Sequence, residues 1–284
     1  MVMETQIDPR AVIDPGATLG VGVKVGANAY VGAGVEVGDG TEIGPGAVIQ
    51  GPTRLGRDNR IFPLAAIGFE PQDLKFGGEE VRLEIGDRNQ FREFNTVHRG
   101  TAKGGGVTRI GSDNLFMAYA HIAHDCQVGS RTIFANNATL AGHVEVHDDA
   151  TISAFSSIHQ FCRVGRHAYV GAYSVVVMDA LPFAKTVGQK AASFGLNSIG
   201  LKRKGFEPDA IARLDRALRL LVRSKLNTAQ ALERIRSEVG PPGAWPEVDY
   251  LVGFVESARR GVHKSPPGRS GGRAGSGEIP ETSE

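Results

Sequence analysis

The chain has 284 residues, a hydrophobic share of 41%, a charged share of 22% and a formal net charge of +1. This is a globular composition, long enough for one large domain or two smaller ones, and it carries no global field toward nucleic acid or an anionic membrane. No run approaches ~18 apolar residues, the start MVMETQIDPR has no secretory pattern, and two cysteines are too few for a disulfide framework. The expectation is a cytoplasmic chain with no nucleic-acid partner and no stable membrane insertion.

Stepping by six from Ile7 meets only aliphatics: Ile7, Ile13, Leu19, Val25, Val31, Val37, Ile43, Ile49, Leu55, Ile61 and Ile67. The frame breaks, resumes at Ile85, Phe91 and Val97, and breaks again. It then runs from Ile110 through Phe116, Ile122, Val128, Phe134, Leu140, Val146, Ile152, Ile158, Val164 and Val170 to Val176. Chance would make only about half of these positions apolar. The following residue is often glycine, as at Gly20, Gly26, Gly38, Gly44 and Gly56. A repeated corner that needs positive φ or close backbone approach accounts for this.

One aliphatic per repeat suits a short flat strand that points one side chain inward. Three repeats close a triangular coil, and coils stack at roughly 4.8 Å. Residues 1–182 are therefore predicted to form a parallel β-helix, with excursion loops near 69–84 and 99–109. Irregular segments on a rigid scaffold are natural places for binding residues. Cys126 and Cys162 fall two coils apart on one edge, roughly 10 Å from each other, which is beyond disulfide reach.

Residues 183–261 are predicted to hold a linker and a C-terminal α-helical subdomain. The linker runs to about 206 and contains Lys202, Arg203 and Lys204. Pro208 starts a helix in which Ile211, Leu214, Leu218 and Leu221 have helical spacing. A second helix runs from Asn227-Thr228 to Val239, and a weaker third covers about 246–260. Residues 262–284, rich in Gly, Ser, Pro and charge, are expected to be disordered.

The densest chemistry lies in Ala120-His121-Ile122-Ala123-His124-Asp125-Cys126. Ile122 points inward in the frame, so His124 should sit near a corner and reach outward. One coil on are Gly142 and His143; two coils on are His159 and Gln160. These residues are either a functional cluster or a solvated edge. A neutral imidazole suits removal of a proton from a hydroxyl near neutral pH. Asp125 would orient the ring, and the Gly142 N–H would stabilise an oxyanion. Such a set serves acyl transfer to an alcohol without a nucleophilic serine. In the first loop, Gln72-Asp73-Leu74-Lys75 offers an amide, an acceptor and a cation, or is ordinary solvated loop. The Lys202-Arg203-Lys204 cluster binds phosphate or is a solvated linker.

The array resembles the left-handed β-helix acyltransferases, a handedness that comes from the resemblance, since the usual crossover rule gives the opposite. From residue 7 to about 240 the chain is similar to the UDP-N-acetylglucosamine O-acyltransferase family, the first enzymes of lipid A biosynthesis. The matching segments are Gln72–Lys75, Leu83–Asn89, Thr96–Thr101, Ala120–Cys126, Ala135–His143, His159–Cys162 and Gly200–Phe206. The resemblance implies a homotrimer that moves an (R)-3-hydroxyacyl group from acyl carrier protein to the sugar 3-hydroxyl of UDP-N-acetylglucosamine. His124 would be the general base, Asp125 its support and Gly142 the oxyanion donor. Gln72, Asp73, Lys75, His98, His121, His143 and Gln160 match positions that hold sugar, phosphate or acyl groups. Asn197 and Arg203 match positions near the nucleotide, and Lys202 and Lys204 join a basic surface facing the carrier protein. No metal and no cofactor are implied.

The chain departs from the family pattern at Ile199, at Lys204 in place of Arg, at Ala172 in the acyl groove and at Lys190. The alternatives are a related hexapeptide acyltransferase using a 3-amino UDP-sugar or another donor, a metal-dependent β-helix enzyme with interfacial histidines, and a purely structural β-helix.

Overall fold

The computed structural model describes residues 4–264. The expected disordered tail falls outside the described residues except at its start. There Val262 and His263 are buried, and the His263 N–H donates to the Asp179 carbonyl at 3.0 Å. These two residues thus return to the body of the protein rather than leaving it.

Every frame position from Val25 to Val176 is buried, and the side chains stack into one continuous apolar column. At its centre Phe91 and Phe116 stack face to face with ring centroids 4.7 Å apart, and Phe134 packs on Phe116 at 4.9 Å with its ring tilted by 30°. Three parallel sheets enclose the column. The first starts at Gln6–Ile7, the second at Val12–Ile13 and the third at Thr18–Leu19. Register between coils is in phase, as in Lys24 opposite Glu42 and Ile61 opposite Ile43. The fold is a left-handed parallel β-helix of hexapeptide repeats.

Gly20, Gly26, Gly38, Gly44 and Gly56, each after an inward aliphatic, work by close approach, not by positive φ. A Cβ on Gly38 would lie 2.5 Å from the Gly56 carbonyl, and one on Gly26 2.8 Å from Pro45 N. Positive φ falls two residues later, at the tip of most turns, and many of those residues are not glycine. Many tips therefore place a side chain on an edge of the prism, and the three edges differ in chemistry. Between the first and second sheets stand Leu64, Phe94, Tyr119, Phe155 and Tyr173. Between the third and first stand Asp58, Arg88, Asp113, Arg131 and Asp149, several in ion pairs. Between the second and third stand Asp125, His143 and Phe161.

Both excursions leave from this last edge. The first leaves after Ala66–Phe69 and returns at Arg82–Ile85; the second leaves after Thr96–His98 and returns at Val107–Ile110. Register survives both, because Ile85 pairs with Leu55 and with Ile110. A buried polar ladder helps to hold it. Asn59 Oδ1 accepts from Asn89, Asn89 Oδ1 from Asn114, and Asn114 Oδ1 from Thr132, at 2.7–3.0 Å.

The segment expected as a linker is structured. Ala184–Val187 continues the first sheet and pairs antiparallel with Ala192–Leu196, and helix α1 spans Ser198–Arg203. Its strands are four and five residues long, and Ala184–Val187 alternates buried with more exposed positions, a period of two that the six-residue step passes over. Helices α2 (Pro208–Val222), α3 (Thr228–Glu238) and α4 (Pro246–Glu256) follow. Asn227 and Gln230 cap α3 reciprocally. Leu214, Leu218, Leu221, Leu232, Ile235, Leu251 and Val255 form a second core. Arg163 ties α4 to the prism: its guanidinium lies over the Phe254 ring at 4.1 Å and pairs with buried Asp179 at 2.7 Å. Both cysteines are free and buried. No helix among the described residues is long and apolar enough to cross a membrane.

Candidate active site

The turn after the His121–Ile122 strand puts Asp125 in the left-handed region, at φ 61. This swings its carboxylate back toward the preceding coil and leaves His124 on the outer edge. His124 Nδ1 lies 2.8 Å from Asp125 Oδ2, with the two side chains 15% and 1% exposed. An ionised carboxylate only accepts hydrogen bonds, so this contact puts the His124 proton on Nδ1 and leaves Nε2 as the free basic nitrogen.

Gly142 lies one coil on. A Cβ there would meet His124 Cε1 at 2.6 Å and Nε2 at 2.8 Å. The ring therefore rests directly on the Gly142 backbone, and only glycine leaves room for it. The Gly142 N–H has no hydrogen-bond partner among the described residues. A free base and a free backbone donor thus stand side by side, as deprotonation of a hydroxyl and support of a developing oxyanion require.

The neighbouring histidines are held neutral. His143 makes an edge-to-face contact with His124 at 5.1 Å and stacks on Phe161 at 4.4 Å. Burial lowers its pKa, while Asp125 pulls the other way, His124 adds to the lowering, and Asp73 from the first excursion again opposes it. His121 Nδ1 bonds Thr96 Oγ1 at 2.7 Å, and burial, then His124, lower its pKa. His98 meets His121 edge-on at 5.2 Å. Burial, with His121 and His124 beside it, pushes His98 down to about 4. Beneath the pair, burial pushes the Cys126 thiol up to about 12, so it stays protonated and is no nucleophile.

His98 has a consequence for stability. Its unfolded value is 6.5 and its folded value about 4, so below pH 6.5 the unfolded chain binds more protons and stability falls with falling pH. The His98 contribution is full above about pH 7 and shrinks by about 2 kcal/mol at pH 5. Denaturant unfolding at fixed protein concentration should show His98→Gln losing that much less than wild type between pH 8 and pH 5. Equal losses would remove His98 as the cause.

His124, Asp125, Gly142, His121, His143 and His98 are therefore one cluster, with Asp73 close enough to act on His143. Gln72 and Lys75 are exposed on the first excursion, where the Lys75 N–H donates to Asp73 Oδ1 at 3.0 Å. Gln160 is exposed beside Phe161. Asn197 and Arg203 are not joined to the cluster within this chain. Asn197 caps α1 and donates to the His167 carbonyl at 3.1 Å, and Arg203 is exposed at the end of α1. Lys204 is tied to Asp149 at 2.8 Å.

Sequence reasoning missed the residues that hold the pair. Thr101 N and Oγ1 both donate to the Asp125 carboxylate, at 2.8 and 2.7 Å, and Thr108 Oγ1 accepts from the Asp125 N–H at 2.7 Å. Both threonines lie in or beside a frame break, where the six-residue period gives no position. His124, Asp125 and His143 also offer ligand atoms within 4.8 Å of one another. Each Asp125 oxygen already accepts a hydrogen bond, and Oδ2 accepts two. A cation bound there would have to displace part of this network.

Known proteins share this architecture. Residues 179–263 match the family model described as UDP-N-acetylglucosamine O-acyltransferase, domain 2, and residues 17–51 and 108–142 match the bacterial transferase hexapeptide model. An acyl-[acyl-carrier-protein]--UDP-N-acetylglucosamine O-acyltransferase of Thiobacillus denitrificans is 50% identical over 72% of this chain and 78% of its own length. LpxA from Acinetobacter baumannii superposes with a TM-score of 0.88 at 40% identity, covering 91% of this chain and 99% of that one. LpxA from Bacteroides fragilis, a UDP-N-acetylglucosamine acyltransferase, gives 0.88 at 39% identity over 90% and 99%. On its repeats, its C-terminal domain and these relatives, the chain belongs to the UDP-N-acetylglucosamine O-acyltransferase family.

Proposed function

We propose that this protein transfers an (R)-3-hydroxyacyl group from acyl carrier protein to the 3-hydroxyl of UDP-N-acetylglucosamine, the first step of lipid A biosynthesis. The observation that carries the chemistry is the His124–Asp125 contact at 2.8 Å, with the free Nε2 seated over Gly142. His124 Nε2 takes the sugar hydroxyl proton as the oxygen attacks the thioester carbonyl. Asp125 supports the imidazolium that forms, and the Gly142 N–H receives the oxyanion. When the tetrahedral intermediate collapses, the C–S bond breaks and the imidazolium returns its proton to the leaving thiolate. The bond to sulfur is exchanged for a bond to the sugar oxygen, so no metal and no cofactor enter.

The remaining site residues fit the same chemistry. Asp73, Lys75, Gln72, His98, His121, His143 and Gln160 lie along the edge that carries His124, or on the excursion beside it, and bind sugar, phosphate or acyl groups. Asn197 and Arg203 lie apart from that cluster within one chain. This suits a homotrimer in which the cleft forms between neighbouring prisms and α1 reaches the nucleotide of an adjacent site. The basic surface with Lys202 receives the acidic carrier protein, in the cytoplasm.

The test is purified protein with UDP-N-acetylglucosamine, its 3-amino analogue and a panel of hydroxyacyl carrier proteins. The expected product is the 3-O-acyl sugar nucleotide. Transfer to neither sugar from any donor would refute the reading, as would stoichiometric zinc in the purified protein.

A further inference from the structure

The second excursion is the shorter of the two, and its own bonds turn it back on itself. Thr101 is buried in an extended conformation, φ −121 and ψ 153, and caps a single 3-10 turn, Ala102–Gly104. The Gly106 N–H bonds the Thr101 carbonyl at 2.8 Å, and the Gly104 N–H donates to Thr101 Oγ1 at 3.2 Å. The turn is pressed onto Asp125: a Cβ on Gly104 would lie 2.0 Å from the Asp125 Cγ. Two donors from Thr101, together with His124 Nδ1, meet the two Asp125 oxygens. On the returning strand, Thr108 Oγ1 takes the Asp125 backbone N–H. Both sides of the excursion therefore converge on one residue of the following coil.

We propose that Thr101 is a positioning residue for the His124–Asp125 pair, and that the second excursion serves to deliver it rather than to bind substrate. The inference rests on the acyl-transfer reading for its kinetic consequences. A carboxylate fixed by two donors presents Oδ2 to His124 in one orientation, which holds the ring in the Nδ1–H tautomer with Nε2 free. Without the Thr101 hydroxyl the carboxylate can rotate, and the ring loses its single orientation. Facing the pair are His143, with Nε2 3.7 Å from Asp125 Oδ2, and His121 and His98 beyond it. Asp73 faces His143 from the first excursion.

Thr101→Val keeps the shape of the side chain and removes only the hydroxyl, whereas Thr101→Ser keeps the hydroxyl. The expected result for Thr101→Val is kcat lower by about tenfold with KM for the sugar nucleotide within about twofold. Thr101→Ser should restore kcat. Thr101→Val behaving as wild type, or Thr101→Ser equally impaired, overturns the proposal. Should Thr101→Val fail to fold, Thr101→Ala makes the same comparison. Nitrogen-15 NMR of the His124 ring supplies a readout without turnover: one Nδ1–H tautomer in wild type and a mixture in the variant. An unchanged tautomer overturns the proposal as well. A wild-type protein without transferase activity counts against the acyl-transfer reading alone and leaves Thr101 to be decided by the spectrum.

Discussion

His124→Ala should lower kcat/KM about a thousandfold while the fold and assembly persist, the middle of the range for loss of a general base. The ring is 15% exposed and belongs to the edge rather than to the apolar column, so its removal takes no side chain from the core. Asp125 keeps both Thr101 donors when the imidazole is gone. Among the described residues the neighbouring groups are poorly suited to take over. Burial holds His121 and His143 below their ordinary pKa, His121 Nδ1 is engaged by Thr96, and Cys126 stays a thiol. Steady-state kinetics, with circular dichroism and gel filtration on the same preparations, is the measurement. Activity within about tenfold of wild type would mean that another group removes the proton.

The second large effect is expected at a residue with no side chain. Gly142→Ala puts a methyl 2.6 Å from His124 Cε1 and 2.8 Å from Nε2, closer than carbon and nitrogen can approach. The backbone there belongs to a turn whose next residue, His143, is already held at φ 61, and the His143 N–H is bonded to the His124 carbonyl at 3.0 Å. The ring must therefore move, because the turn cannot. A displacement of about 1 Å in a catalytic base costs on the order of a hundredfold in rate. We expect kcat to fall by that order and the His124 ring to rotate away from Asp125 in a crystal structure of the variant. The control is Gly253→Ala on α4, where a Cβ meets nothing within 4 Å. It should leave kcat unchanged and stabilise the helix by about 0.5–1 kcal/mol. Wild-type kcat in Gly142→Ala would show that the ring has slack the packing does not suggest.

The column and the edge were legible from residue order because a β-helix is nearly one-dimensional. Each coil contacts only its neighbours, so a residue's place follows from its position within the repeat. That is why the step from Ile122 places His124 outward, and why one further coil brings Gly142 and His143 beside it. The same step left the job of the corner glycines open between positive φ and close approach. Position within the repeat says that a corner exists, whereas the separation of adjacent corners decides whether Gly38 is there for φ or for room.

What the sequence determined by itself is the prism, its inward column, the alignment of His124 with Gly142 and His143, and the two places where the chain leaves the frame. What only the tertiary structure decided lies inside those departures and after the repeats end. The hairpin at Ala184–Leu196, the return of Val262 and His263 to the prism, and the convergence of Thr101 and Thr108 on Asp125 belong to this second group. The physical reason is shared. Within the repeats, fixed backbone spacing ties sequence separation to distance in space. In an excursion that tie is broken, and partners such as Thr101 and Asp125 are selected by hydrogen-bond geometry and close packing, which no period in the sequence records.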